Sequence, residues 1–100
     1  MSASLTERVT AELATLGTTE RDAADTLRTL RVKGVRFCDE GCVLANFLRR
    51  KGIAASVALW VYPSDSVVVT KEGEVDLPLH LWRLATNFDS GKYPELEAEQ

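Results

Sequence analysis

The sequence predicts a single α+β domain over residues 1–100. Its expected parts are an N-terminal helical hairpin, a central helix, an antiparallel β-hairpin of two to three strands and a C-terminal helix. Apolar residues recur every three or four positions in the first third and again near the end, as in helices with one buried face. Between these regions, residues 53–70 are rich in β-branched residues, which favour strands. A length of 100 residues allows one core.

Two capping patterns mark the helices of the N-terminal hairpin. Ser4 and Thr19 are each followed three residues later by an acidic residue, a pattern typical of a helix start. Gly17 and Gly34 are predicted to end the two helices, because glycine readily takes the left-handed conformation. The predicted bounds are residues 4–16 and 20–32, and the predicted buried positions are Leu5, Val9, Leu13, Leu16, Ala23, Ala24, Leu27 and Leu30.

The stretch Phe37–Gly52 joins the helical first third to the strand-rich half, and a helix is predicted over residues 40–51. Asp39 is the expected N-cap, because its carboxylate can accept from the free N–H groups of the first turn. Basic residues in the last turn suit the helix dipole. Leu44, Phe47 and Leu48 form the buried stripe with Val43 on its flank, whereas Cys42, Asn46 and Arg49 lie on the other side. We therefore expect Cys42 at the edge of the core or outside it.

The strongest strand signal covers Ile53–Tyr62, which is β-branched and aromatic. Alternation places Val57, Leu59 and Val61 on the core face and Ser56, Ala58, Trp60 and Tyr62 on the opposite face. Pro63–Asp65 is a turn signal, and Ser66–Thr70 is the second strand of the hairpin. A short third strand is expected over Val75–Leu77.

The last helix is predicted to start at Asp76 as its cap, with Pro78 in the first turn. Its inward stripe comprises Leu77, Leu81, Leu84, Ala85 and Phe88, widened by Trp82, while His80, Arg83 and Asn87 face outward. After Gly91, the tail is expected to pack Tyr93 and Leu96 onto the body. Residues 1–3 and 97–100 are expected to fray.

Two motifs resemble those of a known group of proteins. The run Cys42–Arg49 resembles a C-x-L-A-x-(aromatic)-L motif, and Phe88–Leu96 resembles an F-D-x-G-x-Y-P-x-L ending. Both motifs are similar to those of small uncharacterised proteins of actinobacteria and their phages, which often have proline where this chain has Val43. The likeness covers roughly Leu27–Leu96. It implies a GC-rich bacterial or phage source and an intracellular setting, and it implies no activity.

The amino-acid composition indicates the class of protein and its expected cellular location. With 45% hydrophobic and 27% charged residues, the chain is ordinary for a globular domain. No apolar run approaches the roughly 20 residues that span a bilayer, so we expect no membrane partner. The first residues do not read as a signal peptide, and two cysteines without a signal indicate reduced thiols. We therefore expect a cytoplasmic location.

The thiols and the histidine are the residues that would carry chemistry. Cys38-x3-Cys42 is not the C-x2-C spacing of zinc ribbons, and with His80 it supplies three of the four ligands that zinc needs. A reactive thiol needs a lowered pKa, but Asp39 and Glu40 place negative charge beside the pair. A thiol or metal protein using Cys38 and Cys42 is therefore kept as an alternative to two structural free thiols. We predict no enzyme, no cofactor and no catalytic or metal residues.

Two sets of residues are candidates for binding a partner. Trp60 and Tyr62 are predicted on the sheet face away from the core, where exposed aromatics often anchor a partner protein. The alternative is that the N-terminal helices or the tail cover them. Residues 26–51 carry seven basic residues against two acidic ones. The nucleic-acid alternative uses Arg28, Arg31, Arg49 and Arg50 from this run, although basic residues at helix ends can also simply satisfy the dipole.

The function predicted from the sequence is that of a small non-catalytic binding or regulatory protein. It would act through protein–protein contacts, with Trp60, Tyr62, Arg49 and Arg50 as the candidate contact residues. Its partner would be another protein or a second copy in a homodimer. A nucleic-acid-binding accessory role is the second hypothesis, and net charge of −3 argues against general affinity for phosphate backbones.

Overall fold

The computed structural model describes residues 4–98 and confirms the α+β class. Its elements in chain order are α1 (Leu5–Ala14), α2 (Glu20–Leu30), α3 (Val43–Arg50), β1 (Ser56–Ala58), β2 (Val67–Thr70), β3 (Gly73–Asp76) and α4 (Leu79–Asp89). Short 3-10 turns cover Pro63–Asp65 and Pro94–Leu96. Among the described residues, no helix has the length and apolar content needed to cross a membrane.

The strands form an antiparallel sheet in the order β1-β2-β3, in which Val68 pairs with both Val57 and Val75. Val57 and Val68 are fully buried on the face toward the helices. Helix α1 lies against β3, α2 against α4, and α3 against β1. The sheet and the helices therefore enclose one core, in which Phe47 and Phe88 are the largest buried side chains.

The caps of the first two helices are confirmed. Ser4 Oγ accepts from the Glu7 N–H at 3.2 Å, and Thr19 Oγ1 accepts from the Asp22 N–H at 3.0 Å. The predicted burial is also confirmed for the central positions of both stripes, which are Val9, Leu13, Leu16, Ala23, Ala24 and Leu27.

The end of α2 differs from the prediction. The helix stops at Leu30 because Arg31 takes a left-handed conformation, with φ +59°, ahead of the predicted stop at Gly34. The Val32 N–H then bonds back to the Leu27 carbonyl, which closes the helix end and buries Val32. Leu30 is 41% exposed, so its predicted place in the core was wrong.

The start of α3 also differs. Cys42 is the N-cap residue, so Asp39, three residues earlier, does not cap the helix as predicted. Its backbone carbonyl accepts from the Val57 N–H at 2.9 Å. Residues 35–41 close as a loop through a bond from the Val35 N–H to the Gly41 carbonyl. The later start moves Cys42 into the core, where it is 3% exposed, so the expected edge position was wrong.

Strand β1 is much shorter than the predicted strand. After Leu59, the Trp60 N–H bonds to the Oγ of Ser66, which is fully buried, rather than to a strand partner. The chain therefore leaves the sheet and bends into the 3-10 turn. Val61 is 81% exposed, so its predicted place on the core face was wrong.

Helix α4 begins after Pro78, which occupies the N-cap position predicted for Asp76. Asp76 belongs to β3 and pairs with Val67. The inward stripe of α4 is confirmed, but the outward face was partly wrong, because His80 and Asn87 are half-buried and hydrogen-bonded. His80 Nε2 lies 3.0 Å from the Gly17 carbonyl oxygen, and Asn87 Nδ2 donates to Glu20 at 2.7 Å.

The tail packs onto the body as predicted, with Leu96 fully buried. Gly34 forms a parallel bridge with Glu97: its N–H donates to the Leu96 carbonyl, and its carbonyl accepts from the Ala98 N–H, both at 2.8 Å. Glu97 and Ala98 are therefore paired, contrary to the predicted fraying. The remaining residues predicted to fray, 1–3 and 99–100, lie outside the described part of the chain.

Polar side chains also hold the tail. The Tyr93 hydroxyl donates to the Glu20 carboxylate, and the Arg28 guanidinium bonds Glu95 at 2.5 Å. We call these four residues the tail clasp. Burial would raise the pKa of Glu20, but hydrogen bonds from Tyr93 and Asn87 outweigh it and lower that pKa below its usual value. Burial, reinforced by the Glu20 charge, raises the pKa of Tyr93 to about 12.

Candidate functional site

Trp60 and Tyr62 lie in the loop that follows β1, with exposed fractions of 63% and 67%. The structure thus places them past the end of the strand rather than on the sheet face. Val61 lies between them and is more exposed still. The alternative that the helices or the tail cover these two rings was wrong. Three large apolar side chains in a row therefore face solvent.

The backbone of this loop is held in place. Ser66 Oγ accepts from the Trp60 N–H at 2.9 Å and lies 3.3 Å from the Tyr62 carbonyl oxygen. The Trp82 indole N–H donates to the Trp60 carbonyl at 3.1 Å. A buried serine and a helix side chain thus fix the main chain, while the loop's own side chains remain in solvent.

Phe37 is a second exposed aromatic, at 76% of its surface, and it has a left-handed backbone with φ +58°. A bulky residue in this region costs roughly 1 kcal/mol or more. Its N–H donates to the Asp89 carboxylate at 3.0 Å, and the Arg36 guanidinium lies 5.7 Å from its ring centroid. Phe37 is therefore held in solvent by a strained but anchored main chain.

The two exposed segments are anchored to the same side of α4. Trp82 holds the loop at Trp60, and Asp89 holds Phe37. Seven residues make two helical turns, so the two anchors lie about 10 Å apart along one face. We call the exposed side chains Phe37, Trp60, Val61 and Tyr62 the aromatic surface.

The sequence analysis identified Trp60 and Tyr62 in this surface and missed Phe37. The available signal was that Phe37 lies outside every predicted buried stripe, which leaves a large ring with no assigned place in the core. Its positive φ has no signature in the sequence, because glycine, asparagine and aspartate are the residues that usually mark such positions.

The predicted basic residues separate into two groups. Arg31, Arg49 and Arg50 come together around a surface pocket of about 440 Å³. Lys33, which the sequence analysis did not single out, lines the same pocket, and Val32 and Asn46 complete its lining. We call the four cationic side chains and Asn46 the basic pocket. Its cations come from the end of α2 and the end of α3, which are close only in the folded chain.

Arg28 is not part of this pocket. Its guanidinium pairs with Glu95 at 2.5 Å and with Asp25 at 2.6 Å. The hydrogen bond to Glu95, and after it the bond to Asp25, raises the pKa of Arg28. The hydrogen bond from Arg28 in turn lowers the pKa of Glu95. Arg28 is therefore occupied within the protein, and the nucleic-acid set of four arginines is reduced to three.

Backbone and amide oxygens orient the arginines of the basic pocket. Arg50 donates to the carbonyls of Leu30 and Arg31 at 2.7 and 2.9 Å. Arg49 donates to Asn46 Oδ1 at 2.6 Å and to the Glu40 carbonyl at 2.8 Å. These acceptors are neutral.

No acidic group neutralises these cations. Within residues 4–98, no carboxylate oxygen lies within 4.0 Å of a side-chain nitrogen of the four cations. Among the described residues, the positive charge of the pocket is therefore offset only by the C-terminal dipoles of α2 and α3.

The thiols offer little chemistry. Cys38 is half-buried and Cys42 is buried, and neither forms a disulfide. Burial raises the pKa of the Cys42 thiol to about 11, so this thiol stays protonated at neutral pH. Across residues 4–98, His, Cys, Asp and Glu side chains form no group of three able to hold a metal ion.

Comparison with known proteins finds no family model, no curated protein and no solved structure that matches this chain. The resemblance to small actinobacterial and phage proteins stays a prediction. The two features that bear on function are the aromatic surface and the basic pocket.

Proposed function

We propose that this protein is a non-catalytic binding protein that acts through protein–protein contacts at the aromatic surface. The observation that carries the proposal is the pairing of exposed rings with an anchored backbone at Phe37 and Trp60–Tyr62. Tryptophan and tyrosine are the residues most often responsible for binding energy at interfaces. A backbone that is already fixed loses little further freedom on binding, so more of the contact energy appears as affinity.

The partner must cover large apolar rings, so it presents an apolar patch of its own. A second copy of this chain supplies such a patch, and an interface of the same surface with itself has two-fold symmetry. The alternative partner is another protein that presents a matching apolar patch. The mass of the purified protein in solution distinguishes a homodimer from a chain whose partner is another protein.

The test combines mass and substitution. Light scattering over a series of concentrations measures self-association, and a tagged chain captures partners that are then purified and titrated. In either assay, Trp60→Ala with Tyr62→Ala should weaken binding at least about tenfold, as for truncated anchor residues. Circular dichroism and the unfolding midpoint of the variant establish that it is folded.

Leu30→Ala is the matched control, because Leu30 is an exposed apolar residue outside the aromatic surface. It should leave the association unchanged. Association that survives the double substitution, or that falls equally in the control, would remove the aromatic surface from the proposal. A chain that neither self-associates nor retains a partner would overturn the function itself.

A further inference from the structure

We infer that the basic pocket binds a small, multiply charged phosphate compound through a diphosphate or triphosphate group. The residues that carry this inference lie outside the aromatic surface, so it does not depend on the proposed function. Three features support it: the charge of the pocket, the orientation of its donors and the backbone conformation of Arg31.

Charge is concentrated in the basic pocket, although the whole chain carries −3. Four cationic residues line one pocket, and no carboxylate of residues 4–98 pairs with them. Like charges in one place repel each other, and the C-terminal ends of α2 and α3, each equivalent to roughly half a negative charge, offset only part of that repulsion. A bound anion with several negative charges removes that repulsion, whereas a single carboxylate removes only part of it.

The donors are arranged before any ligand arrives. A guanidinium carries five N–H donors. Each of Arg49 and Arg50 uses two nitrogens on neutral oxygens of the protein, which fixes the plane of the group and leaves further N–H groups free. Asn46 links these arginines to the segment that carries Lys33, since its Nδ2 donates to the Lys33 carbonyl at 2.7 Å. Oriented guanidinium groups are well suited to phosphate oxygens.

Arg31 supplies an independent observation. It occupies the left-handed position at the end of α2, where glycine is the usual residue. The fold needs this backbone conformation but does not need an arginine side chain to produce it. A residue with strained backbone that lines a charged pocket is typical of a functional site.

The size of the pocket favours a compact ligand. A volume of about 440 Å³ accommodates a phosphate chain with a small attached group. An extended nucleic acid would also meet the acidic remainder of the surface, which repels a phosphate backbone. We therefore favour a small phosphate compound over a nucleic acid.

Isothermal titration with pyrophosphate and with ADP, at constant ionic strength, tests the inference. Both probes should give saturable binding at one site. Arg31→Gly should weaken the affinity at least about tenfold, as expected for loss of a charge-assisted donor, without lowering the unfolding temperature of the free protein. A merely structural Arg31 would give the reverse result, unchanged binding and lower stability. Lys33→Gln is a second variant, since its exposed side chain bonds no other residue of the described chain.

Arg21→Gln is the control, because Arg21 is an exposed cation on the same helix outside the pocket. It should leave both affinities unchanged. Equal affinities for pyrophosphate and ADP would assign recognition to the phosphate groups alone, and tighter binding of ADP would assign a nucleotide. Absence of saturable binding, or equal losses in Arg21→Gln and Arg31→Gly, would overturn the inference. Binding of a single-stranded oligonucleotide that pyrophosphate does not displace would replace it with a nucleic-acid site.

Discussion

The tail clasp contains an arginine of α2, and the basic pocket contains the arginine that directly follows this helix, yet the two regions treat positive charge in opposite ways. Arg28 of the clasp meets two carboxylates, Asp25 and Glu95. Arg31 lies only three residues further along the chain and lines a pocket whose oxygen acceptors are neutral. Neutral oxygens orient a cation without cancelling its charge. The clasp can thus serve to hold the tail, whereas the pocket retains a charge that an external anion can meet.

Gly34→Ala should have the largest effect, because Gly34 lies where the two regions meet. A Cβ at this position would stand 2.3 Å from the Val43 backbone nitrogen and 2.6 Å from its Cα. Neither atom belongs to a flexible side chain that could move away. We expect a loss of about 3 kcal/mol in the free energy of unfolding, the upper part of the range for overpacking, measured by urea denaturation.

Gly52→Ala is the control for that experiment. Gly52 has φ +81°, but the nearest atom to an added Cβ is an Arg8 guanidinium nitrogen at 3.8 Å. Only backbone strain of about 1 kcal/mol is expected. A Gly34 variant no less stable than the Gly52 variant would show that the tail and the start of α3 are not tightly joined.

Tyr93→Phe should have an intermediate effect, confined to the clasp. It removes a hydrogen bond to a charged, half-buried carboxylate, so we expect a loss of about 1–2 kcal/mol. The wild-type contribution from Glu20 is present above its unfolded pKa of about 4.5 and is lost as the pH falls through the lower folded pKa. The contribution from Tyr93 is present below pH 10 and is lost as the pH rises toward about 12.

Unfolding measured across these two pH ranges checks the prediction. The Tyr93→Phe variant should lose the alkaline dependence and show a weaker acid dependence, since Glu20 keeps only its bond from Asn87. Tyr62→Phe, the same substitution at an exposed tyrosine, should leave both dependences unchanged. Identical pH profiles for wild type and Tyr93→Phe would show that the clasp does not hold the tail through Glu20.

The smallest effects should have opposite signs in the two regions. Arg28→Gln removes attraction and should lower the unfolding temperature slightly at low salt, as for exposed ion pairs. Lys33→Gln removes repulsion within the basic pocket and should raise it. Both differences should vanish near 1 M salt, where charges are screened over about 3 Å. If both substitutions shifted the unfolding temperature in the same direction, the tail clasp and the basic pocket would not differ in how their positive charges are neutralised.

Local signals predicted the fold well where neighbouring residues decide the structure. The caps at Ser4 and Thr19 and the buried stripe of α4 depend on residues three or four positions apart. The predicted strand to Tyr62 failed because a buried serine, Ser66, takes the Trp60 N–H that a longer strand would have used. The predicted N-cap of α3 failed because a hydrogen bond from the Val35 N–H to the Gly41 carbonyl closes a loop over residues 35–41, so the helix starts only after Cys42.

The candidate sites were only partly predictable. The aromatic residues of the β1 loop are visible in the sequence, but their exposure depends on where the strand ends. The sequence places Asp25 three residues before Arg28 and no carboxylate at that spacing before Arg31, but the second partner of Arg28, Glu95, is 67 residues away. The positive φ of Arg31 and of Phe37 is imposed by the surrounding fold rather than by the residue type.

The bridge between Gly34 and Glu97 also bears on the order in which contacts form during folding. The bridge requires the chain after α4 to return to the segment between α2 and α3. Closing a loop of about sixty residues carries an entropic cost, which places this contact among the last to form. The core site that Leu96 fills therefore stays open to water until late in folding, and the tail is the segment that completes the core.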